Sequence, residues 1–551
     1  MRITKTGYDL IRDPLLNKGT AFTQKERAAF GLHGLLPSEE KSMAQQAQRI
    51  YASISAYATP LERYVSLAGL QDRNEHLFYR VLTDHLEEFM PIVYTPTVGL
   101  ATQNFSQVFR RGRGVWITPE FRGRINDVLL NAVGSRRIRL IVATDNESIL
   151  GIGDQGAGGM AISIGKLALY VAGAGVHPSE TLPVSLDVGT DNAALLEDQG
   201  YLGWRQERLR GAAYDALIDE FVEAVRTVCP DALLQWEDFR KDNALTILNR
   251  HRFSLPSFND DIQGTGAVAL AGLLSAQRIS GLALAEQRVL IYGAGAAGLG
   301  IARQIKAAMT GVGLSGRKAL ERVGVIDSQG LLVDDREIGD AYKAELAWPV
   351  EHARSLGLPD VSTRDFLNVV TRYRPTTLIG SSGQPGAFTQ AIVQRMGQDT
   401  ERPVIMPFSN PTDRAEAQPE DILNWTEGRA LVATGSPFAP VRIGTHEYSI
   451  GQGNNVFIFP GLGLGALASN AQSVTDSMVS AASAALAQSI TDDELARGLL
   501  FPAIDRLREV CRDVAVAVVR QAEADGVARC QGQADIDDMM WTPDYPEYTK
   551  S

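Results

Sequence analysis

Four acidic residues stand in two pairs, each preceded by apolar residues. Glu237 and Asp238 close the run Ala232-Leu233-Leu234-Gln235-Trp236, and Asp260 and Asp261 follow Ser257-Phe258-Asn259. Successive side chains on a strand face opposite ways, so Glu237 and Asp238 converge only where the strand breaks. Carboxylates gathered at one point repel each other unless a cation sits between them, and an all-oxygen donor set suits Mg²⁺ or Mn²⁺. Capping of the apolar helix that follows would explain Asp260 or Asp261 alone; the two pairs together point to a metal. Lys166 lies in Ser163-Ile164-Gly165-Lys166-Leu167-Ala168-Leu169-Tyr170. Such surroundings strip hydration from an ammonium and favour the proton-accepting amine, although snorkelling to water is the commoner fate of a helical lysine. Tyr94, in Val93-Tyr94-Thr95-Pro96-Thr97-Val98-Gly99, is an acid or a packed aromatic; the residues by themselves leave both open.

A second kind of chemistry is written in glycines. Arg288-Val289-Leu290-Ile291-Tyr292 runs into Gly293-Ala294-Gly295-Ala296-Ala297-Gly298, and Leu299 to Met309 continues as a helix. In that setting Gly293 permits the tight turn, Gly295 lets the backbone approach a pyrophosphate, and Gly298 lets helix and strand pack closely. The helix N-terminus then aims its N–H groups at the phosphates. The same bare spacing recurs at Gly151, Gly153, Gly156 and at Gly311, Gly313, Gly316; without the strand-turn-helix setting these are read as a loop and a linker. After Gly298 the next strand, Val323-Gly324-Val325-Ile326, ends in Asp327, positioned to take the adenosine ribose hydroxyls. An aspartate there disfavours a 2′-phosphate and hence favours NAD over NADP, with Arg336 and Lys343 nearby as counterweights.

These groups need elements to hold them. The spacing predicts helices over Lys25–Phe30, Ser42–Tyr57 and Leu61–Phe89, punctuated by Pro37, Pro60 and Pro91. From Ile138 short β-rich runs alternate with helical stretches, which argues for a parallel sheet. Val289–Tyr292, Val323–Ile326, Thr377–Ile379, Val404–Met406 and Leu431–Ala433 then make five strands of a doubly wound domain. Met478–Ile490 and Ala503–Ala522 are amphipathic helices, and a polar tail from Gln531 is read as a surface arm.

A chain of 551 residues is long enough for two or three packed units. Its 53 Lys+Arg against 65 Asp+Glu leave a formal charge of −12, which argues against nucleic acid and anionic membranes as partners. Three cysteines make no disulfide framework, and no Cys-x-x-Cys is present. The opening Met1–Tyr8 has no apolar signal core, and the apolar stretch Gly266–Leu274 is too short to span a bilayer. The expectation is a cytoplasmic protein with no membrane-spanning run.

Taken together, these segments closely resemble the malic enzyme family, from Asn17-Lys18-Gly19-Thr20-Ala21-Phe22 through to Ala522. The shared stretches are Val93–Gly99, Gly151-Ile152-Gly153-Asp154-Gln155-Gly156, Gly165-Lys166-Leu167, Trp236–Phe239, Phe258–Gly264, Ser409-Asn410-Pro411-Thr412, Ala433–Pro437 and Asn454–Gly461. The resemblance implies oxidative decarboxylation of L-malate to pyruvate and CO₂ with NAD(P) and a divalent metal, Mg²⁺ or Mn²⁺, and Asp327 narrows the cofactor to NAD. It implies Tyr94 as the acid that protonates the enol, Lys166 as the base for the C2 hydroxyl, and Asp260 beside Lys166. Glu237, Asp238 and Asp261 would hold the metal, and Asn410 and Asn454 the substrate and nicotinamide. A homodimer or homotetramer is the implied assembly.

One position departs from the family. An arginine that grips a malate carboxylate is usual just before Ile-Leu-Gly, and here Thr144-Asp145-Asn146-Glu147-Ser148-Ile149-Leu150-Gly151 puts Ser148 in its place. Another cation must substitute, with Arg136, Arg137 and Arg139 nearest in sequence, or the chemistry differs. Malolactic enzymes, close relatives that also lack this arginine, convert malate to lactate with NAD and Mn²⁺ retained. Trp204–Arg208, Asp261–Gly266 and Gln384–Phe388 lean toward them, while Tyr94–Gly99 and Asp154–Gly156 lean back. A catalytically impaired nucleotide-binding homologue is the third reading, against which the retention of Tyr94, Lys166 and every carboxylate counts.

The expected fold is therefore α/β. A helical segment spans residues 1–110, and a central catalytic domain spans 111–260 and is completed by 455–530. A Rossmann-like NAD-binding domain of doubly wound parallel sheet spans 261–454, and a tail spans 531–551.

Overall fold

The computed structural model describes residues 1–530 and 535–550; the first part of the tail, 531–534, and Ser551 lie outside the described residues. The chain forms two compact α/β units, residues 1–232 with 537–551, and residues 233–536. Residues 233–260 and 455–530, which the sequence reading joined to 111–232, thus group with the dinucleotide-binding segment.

The first unit begins with helices. Gln24–Ala29 and Met43–Ser55 match the predicted segments, each opened by a capping box, from Thr23 and Ser42. The single helix expected over Leu61–Phe89 is instead three, Pro60–Gln71, Glu75–Asp84 and Leu86–Val93. Asn74 breaks the run because its side chain accepts the Leu77 N–H and starts a new helix. A parallel sheet follows. Strand β1 (Val115–Ile117) pairs with β3 (Thr181–Leu186), and β3 pairs with β2 (Leu140–Thr144). The helix Met160–Ala174 packs along it with nearly every residue buried.

That helix corrects one expectation. With its lead-in turn it spans Gly156–Ala174, long and apolar enough to cross a membrane, and 94% of its apolar window is buried inside the protein. It is a core helix. The tail is corrected as well: Thr549–Lys550 pairs in parallel with Arg2–Ile3, and Tyr548 is buried with Phe22, Phe30 and Leu32. Packing the tyrosine ring among these residues removes its apolar surface from water and helps dock the tail.

In the second unit β4 (Leu233–Trp236) and β5 (Ser257–Asn259) pair in parallel. A separate seven-stranded sheet contains β6 (Val289–Tyr292), β7 (Val323–Asp327), β8 (Gly330–Leu331), β9 (Thr377–Gly380), β10 (Val404–Pro407), β11 (Leu431–Thr434) and β12 (Gly451–Gln452), in the order β12-β11-β10-β9-β6-β7-β8. All pairings are parallel except β7 with β8. The five predicted strands are present within a residue of their expected ends. The chain runs outward from β6 to β8, returns at β9 and runs outward the other way, so β6 and β9 flank a topological switch point. Open sheets of this kind bind ligands there, beyond the strands' C-terminal ends.

Candidate active site

The second unit assembles the carboxylates. Strand β4 ends at Trp236, and Asp238 takes a left-handed backbone with φ +57°, which breaks the alternation that would have sent Glu237 and Asp238 to opposite faces. One oxygen each of Glu237, Asp238 and Asp261 then lies within 4.8 Å of the others. Glu237 and Asp238 are buried and Asp261 is half-buried. Two hydrogen bonds fix the set. Gln235 Nε2 donates to Glu237 Oε2 at 2.7 Å, and the Asp238 N–H donates to Asp261 Oδ2 at 2.8 Å. Three carboxylates this close, all oxygen donors, fit a hard divalent cation.

Asp260 points elsewhere. It is fully buried, and its Oδ2 accepts from Asn455 Nδ2 at 3.0 Å, while the same amide also donates to Thr265 Oγ1 at 3.0 Å. Asn455 is a residue the sequence reading passed over in favour of its neighbour. Asn454 Oδ1 accepts the Val456 N–H at 2.9 Å and caps a short turn. The doubled Asn454-Asn455 was the available signal, since only one of two adjacent amides can cap the same turn. Asn410, just past β10, accepts at Oδ1 from Ser436 Oγ at 2.5 Å.

The glycine loop sits at the switch point. Gly293 has φ +122°, and a Cβ there would lie 2.6 Å from the Ser381 carbonyl that leaves β9. A Cβ on Gly298 would lie 2.0 Å from the Gly293 carbonyl, whereas one on Gly295 would meet nothing within 4 Å. The first and third glycines are demanded by packing, and the second leaves an open approach to the N-terminus of the helix Ala296–Gly311, which carries no side-chain cap. This cradle suits a dinucleotide pyrophosphate. Asp327 does end β7, but its carboxylate is already engaged: Oδ1 by Arg336 Nη2 at 3.0 Å and the Gln329 N–H at 2.8 Å, Oδ2 by Lys343 Nζ at 3.0 Å. These contacts hold its pKa below the usual carboxylate value despite the opposing effect of burial.

The first unit holds Tyr94 and Lys166. Tyr94 ends the helix Leu86–Val93, and Lys166 sits within Met160–Ala174 at 2% exposure. Lys166 Nζ lies 5.0 Å from the centroid of the Tyr94 ring. The pair can approach because residue 165 is glycine, where a Cβ would lie 2.7 Å from the Val93 carbonyl. Ser148 is half-buried on the loop after β2, and Leu150 and Ile152 of that loop reach Gly99, close after Tyr94.

Arg136, Arg137 and Arg139 do not serve that loop. They precede β2, while Ser148 follows its far end, roughly 15 Å along a five-residue strand. Arg136 bonds the Ala132 carbonyl, Arg137 pairs with Asp231, and Arg139 with Glu180. The cations folded onto the Ser148 loop are Arg208 and Arg210. Arg208, its side chain fully buried, donates from Nε to Asp154 Oδ2 at 3.0 Å and from Nη1 to the Asp145 carbonyl at 2.7 Å. Arg210, 42% exposed, pairs with Glu147 Oε1 at 2.6 Å and with Asp191.

Comparison with known proteins bears on these sites. Residues 71–252 match the family model described as malic enzyme, N-terminal domain, and residues 262–523 the one described as malic enzyme, NAD binding domain. Over the whole chain the sequence is 47% identical to the NAD-dependent malic enzyme of Photorhabdus laumondii and 45% identical to that of Pseudomonas aeruginosa, spanning 98% of each. Among solved structures, the malic enzyme of Entamoeba histolytica superposes with a TM-score of 0.55 at 23% identity, over 93% of this chain and 91% of that one. That of Pyrococcus horikoshii gives 0.55 at 22% identity, over 82% and 89%. At those identities the structural likeness speaks for the fold.

Proposed function

The chain belongs to the malic enzyme family, and we propose that it oxidatively decarboxylates L-malate to pyruvate and CO₂ with reduction of NAD, dependent on a divalent metal. The reading is carried chiefly by the 47% identity, over the entire chain, with a relative named NAD-dependent malic enzyme. Glu237, Asp238 and Asp261 would hold the cation, which would supply Lewis acidity toward the substrate oxygens. Gly293, Gly295 and Gly298 would hold NAD, which would supply the hydride acceptor for C2.

Oxidation comes first, because CO₂ can depart from C3 only once C2 is a carbonyl. Lys166, 5.0 Å from the Tyr94 ring centroid, takes the proton of the C2 hydroxyl as the hydride leaves. Tyr94 returns a proton to C3 of the enol after CO₂ is lost. Asn455 holds Asp260 in one rotamer, and Asn410 and Asn454 border the nicotinamide end. Ser148 carries no charge with which to grip a malate carboxylate. Arg208 is buried and bonded to Asp154 and the backbone, so that role falls to Arg210, which is 42% exposed and must exchange its pairs with Glu147 and Asp191 for the substrate.

Ser148 favours a second reading, the malolactic one, in which NADH reduces pyruvate to L-lactate before release. Purified protein with L-malate, NAD and Mn²⁺ decides between them. NADH rising in step with pyruvate supports the oxidative reaction, lactate without free NADH supports the malolactic one, and no metal-dependent turnover sinks both. Light scattering on the same sample tests the expected homodimer or homotetramer.

A further inference from the structure

We infer that Glu416 is a positioning residue for the nicotinamide half of the cofactor site, where it ties together the two loops that leave β9 and β10; the inference rests on the Gly293 loop being the dinucleotide site. A dinucleotide lies across the switch point of a doubly wound sheet, with one nucleotide over each half. The strand after the glycine loop, β7, belongs to the adenosine half, so the nicotinamide half falls beyond β9 and β10. Glu416 is fully buried between the loops there. Its Oε1 accepts from the Ser382 N–H at 2.8 Å, from Ser382 Oγ at 2.8 Å and from Ser409 Oγ at 2.5 Å. Its Oε2 accepts the Ser409 N–H at 3.4 Å. Ser382 stands just past the end of β9 and Ser409 just past the end of β10.

As mere filling, a glutamate is a poor choice, because an apolar side chain would occupy the same volume without the cost of burying a carboxylate. Here the backbone makes way for it: Gly380 ends β9, and a Cβ there would lie 2.4 Å from Glu416 Cδ. The loops are joined a second time by the Gly383 N–H, which donates to Ser409 Oγ at 2.9 Å. Ser409 is thus clamped between the carboxylate and the neighbouring loop. The next residue is the exposed Asn410, whose Oδ1 is already taken by Ser436 Oγ. With its backbone fixed through Ser409 and its oxygen fixed by Ser436, Asn410 is left its amide nitrogen to donate to a ligand. A donor held in place beforehand loses little freedom when the ligand arrives. Buried as it is, Glu416 acts on the cofactor only through Ser382 and Ser409.

The test is equilibrium binding, which needs no turnover. NADH is titrated against the full-length protein by its fluorescence, and ADP-ribose, which lacks only the nicotinamide, by calorimetry. The wild type is expected to bind NADH about tenfold more tightly than ADP-ribose. Glu416→Gln replaces one acceptor oxygen with a donor facing donors, and should remove most of that advantage while ADP-ribose stays within about twofold of wild type. Ser409→Ala leaves the carboxylate its other donors and should show the same pattern at smaller size. In the double variant the two effects should fall short of their sum, as expected of groups in one network. Should Glu416→Gln not fold, Ser409→Ala decides by the same comparison. Equal weakening of NADH and ADP-ribose in the variants overturns the inference, because the carboxylate would then be merely structural. Unchanged binding of both, or equal binding of both by the wild type, overturns it too. A wild type that binds neither overturns it together with the dinucleotide reading. A wild type that binds NADH yet does not oxidise malate overturns the proposed reaction and leaves this inference to the binding comparison.

Discussion

At the scale of single residues, what distinguishes the two acidic pairs is where each backbone breaks. The left-handed Asp238 turns its side chain toward Glu237 and lets its own N–H hold Asp261. Asp261→Ala therefore removes a proposed cation ligand and an acceptor at once. Manganese-dependent turnover is expected to fall by at least two powers of ten while NADH binding, measured by fluorescence, stays near wild type; normal manganese titration would reject the ligand assignment. Arg210 tests a different contact. If it grips the malate carboxylate, Arg210→Ala raises the malate KM by about tenfold to a hundredfold, the worth of one charge-assisted contact, and leaves the KM for NAD alone. An unchanged malate KM would return the question to Ser148.

At the scale of elements, two glycine positions show how packing sets chemistry. Gly165 lets the helix Met160–Ala174 close on the end of Leu86–Val93, which brings Lys166 to the Tyr94 ring. In Gly165→Ala the new methyl meets the Val93 carbonyl and, at 3.2 Å, Tyr94 Cδ2. Backbone cannot yield there as a flexible side chain would, so the helices must part at a cost of about 1–3 kcal/mol. The expected outcome is a lowered Tm together with a kcat reduced more than tenfold and a nearly unchanged affinity for NADH, since the dinucleotide loop belongs to the other unit. Gly298 does the equivalent work for the dinucleotide loop, where strand and helix touch through its missing side chain.

At the scale of the whole molecule, the C-terminal segment returns to the first unit and is clasped there by histidines. Trp541 lies edge-on between His76 at 5.2 Å and His177 at 5.4 Å. Burial pushes His76 down to about 4 and lowers His177. A histidine whose folded value lies below its unfolded 6.5 is held neutral by the fold. Its stabilising effect is complete above pH 6.5 and is lost as pH falls toward 4. At pH 5 His76 alone accounts for roughly 2 kcal/mol. Hydrogen exchange over residues 541–550, corrected for intrinsic rates, should rise between pH 7 and pH 5, and His76→Gln should blunt the change.

Much of this was legible in residue order because it depends on local pattern. The strands β6, β7, β9, β10 and β11 announce themselves as short apolar runs, and a strand-glycine-helix junction needs no distant partner to be recognised. The metal carboxylates and the Tyr94 and Lys166 pair were named from motif and resemblance. Their convergence was not readable, because it depends on a positive φ at Asp238 and a missing Cβ at residue 165. Three matters were decided only by tertiary structure. Arginines close to Ser148 in sequence stand at the wrong end of β2, and Arg208 and Arg210, some sixty residues on, fold onto its loop. Arg336 and Lys343, named beside Asp327 from the sequence, turn out to bond one carboxylate oxygen each. The polar tail docks because Tyr548 and Trp541 find apolar and aromatic partners hundreds of residues away. Local propensity follows from neighbours along the chain, whereas the charge and burial of a side chain follow from neighbours in space, and those only the completed fold supplies.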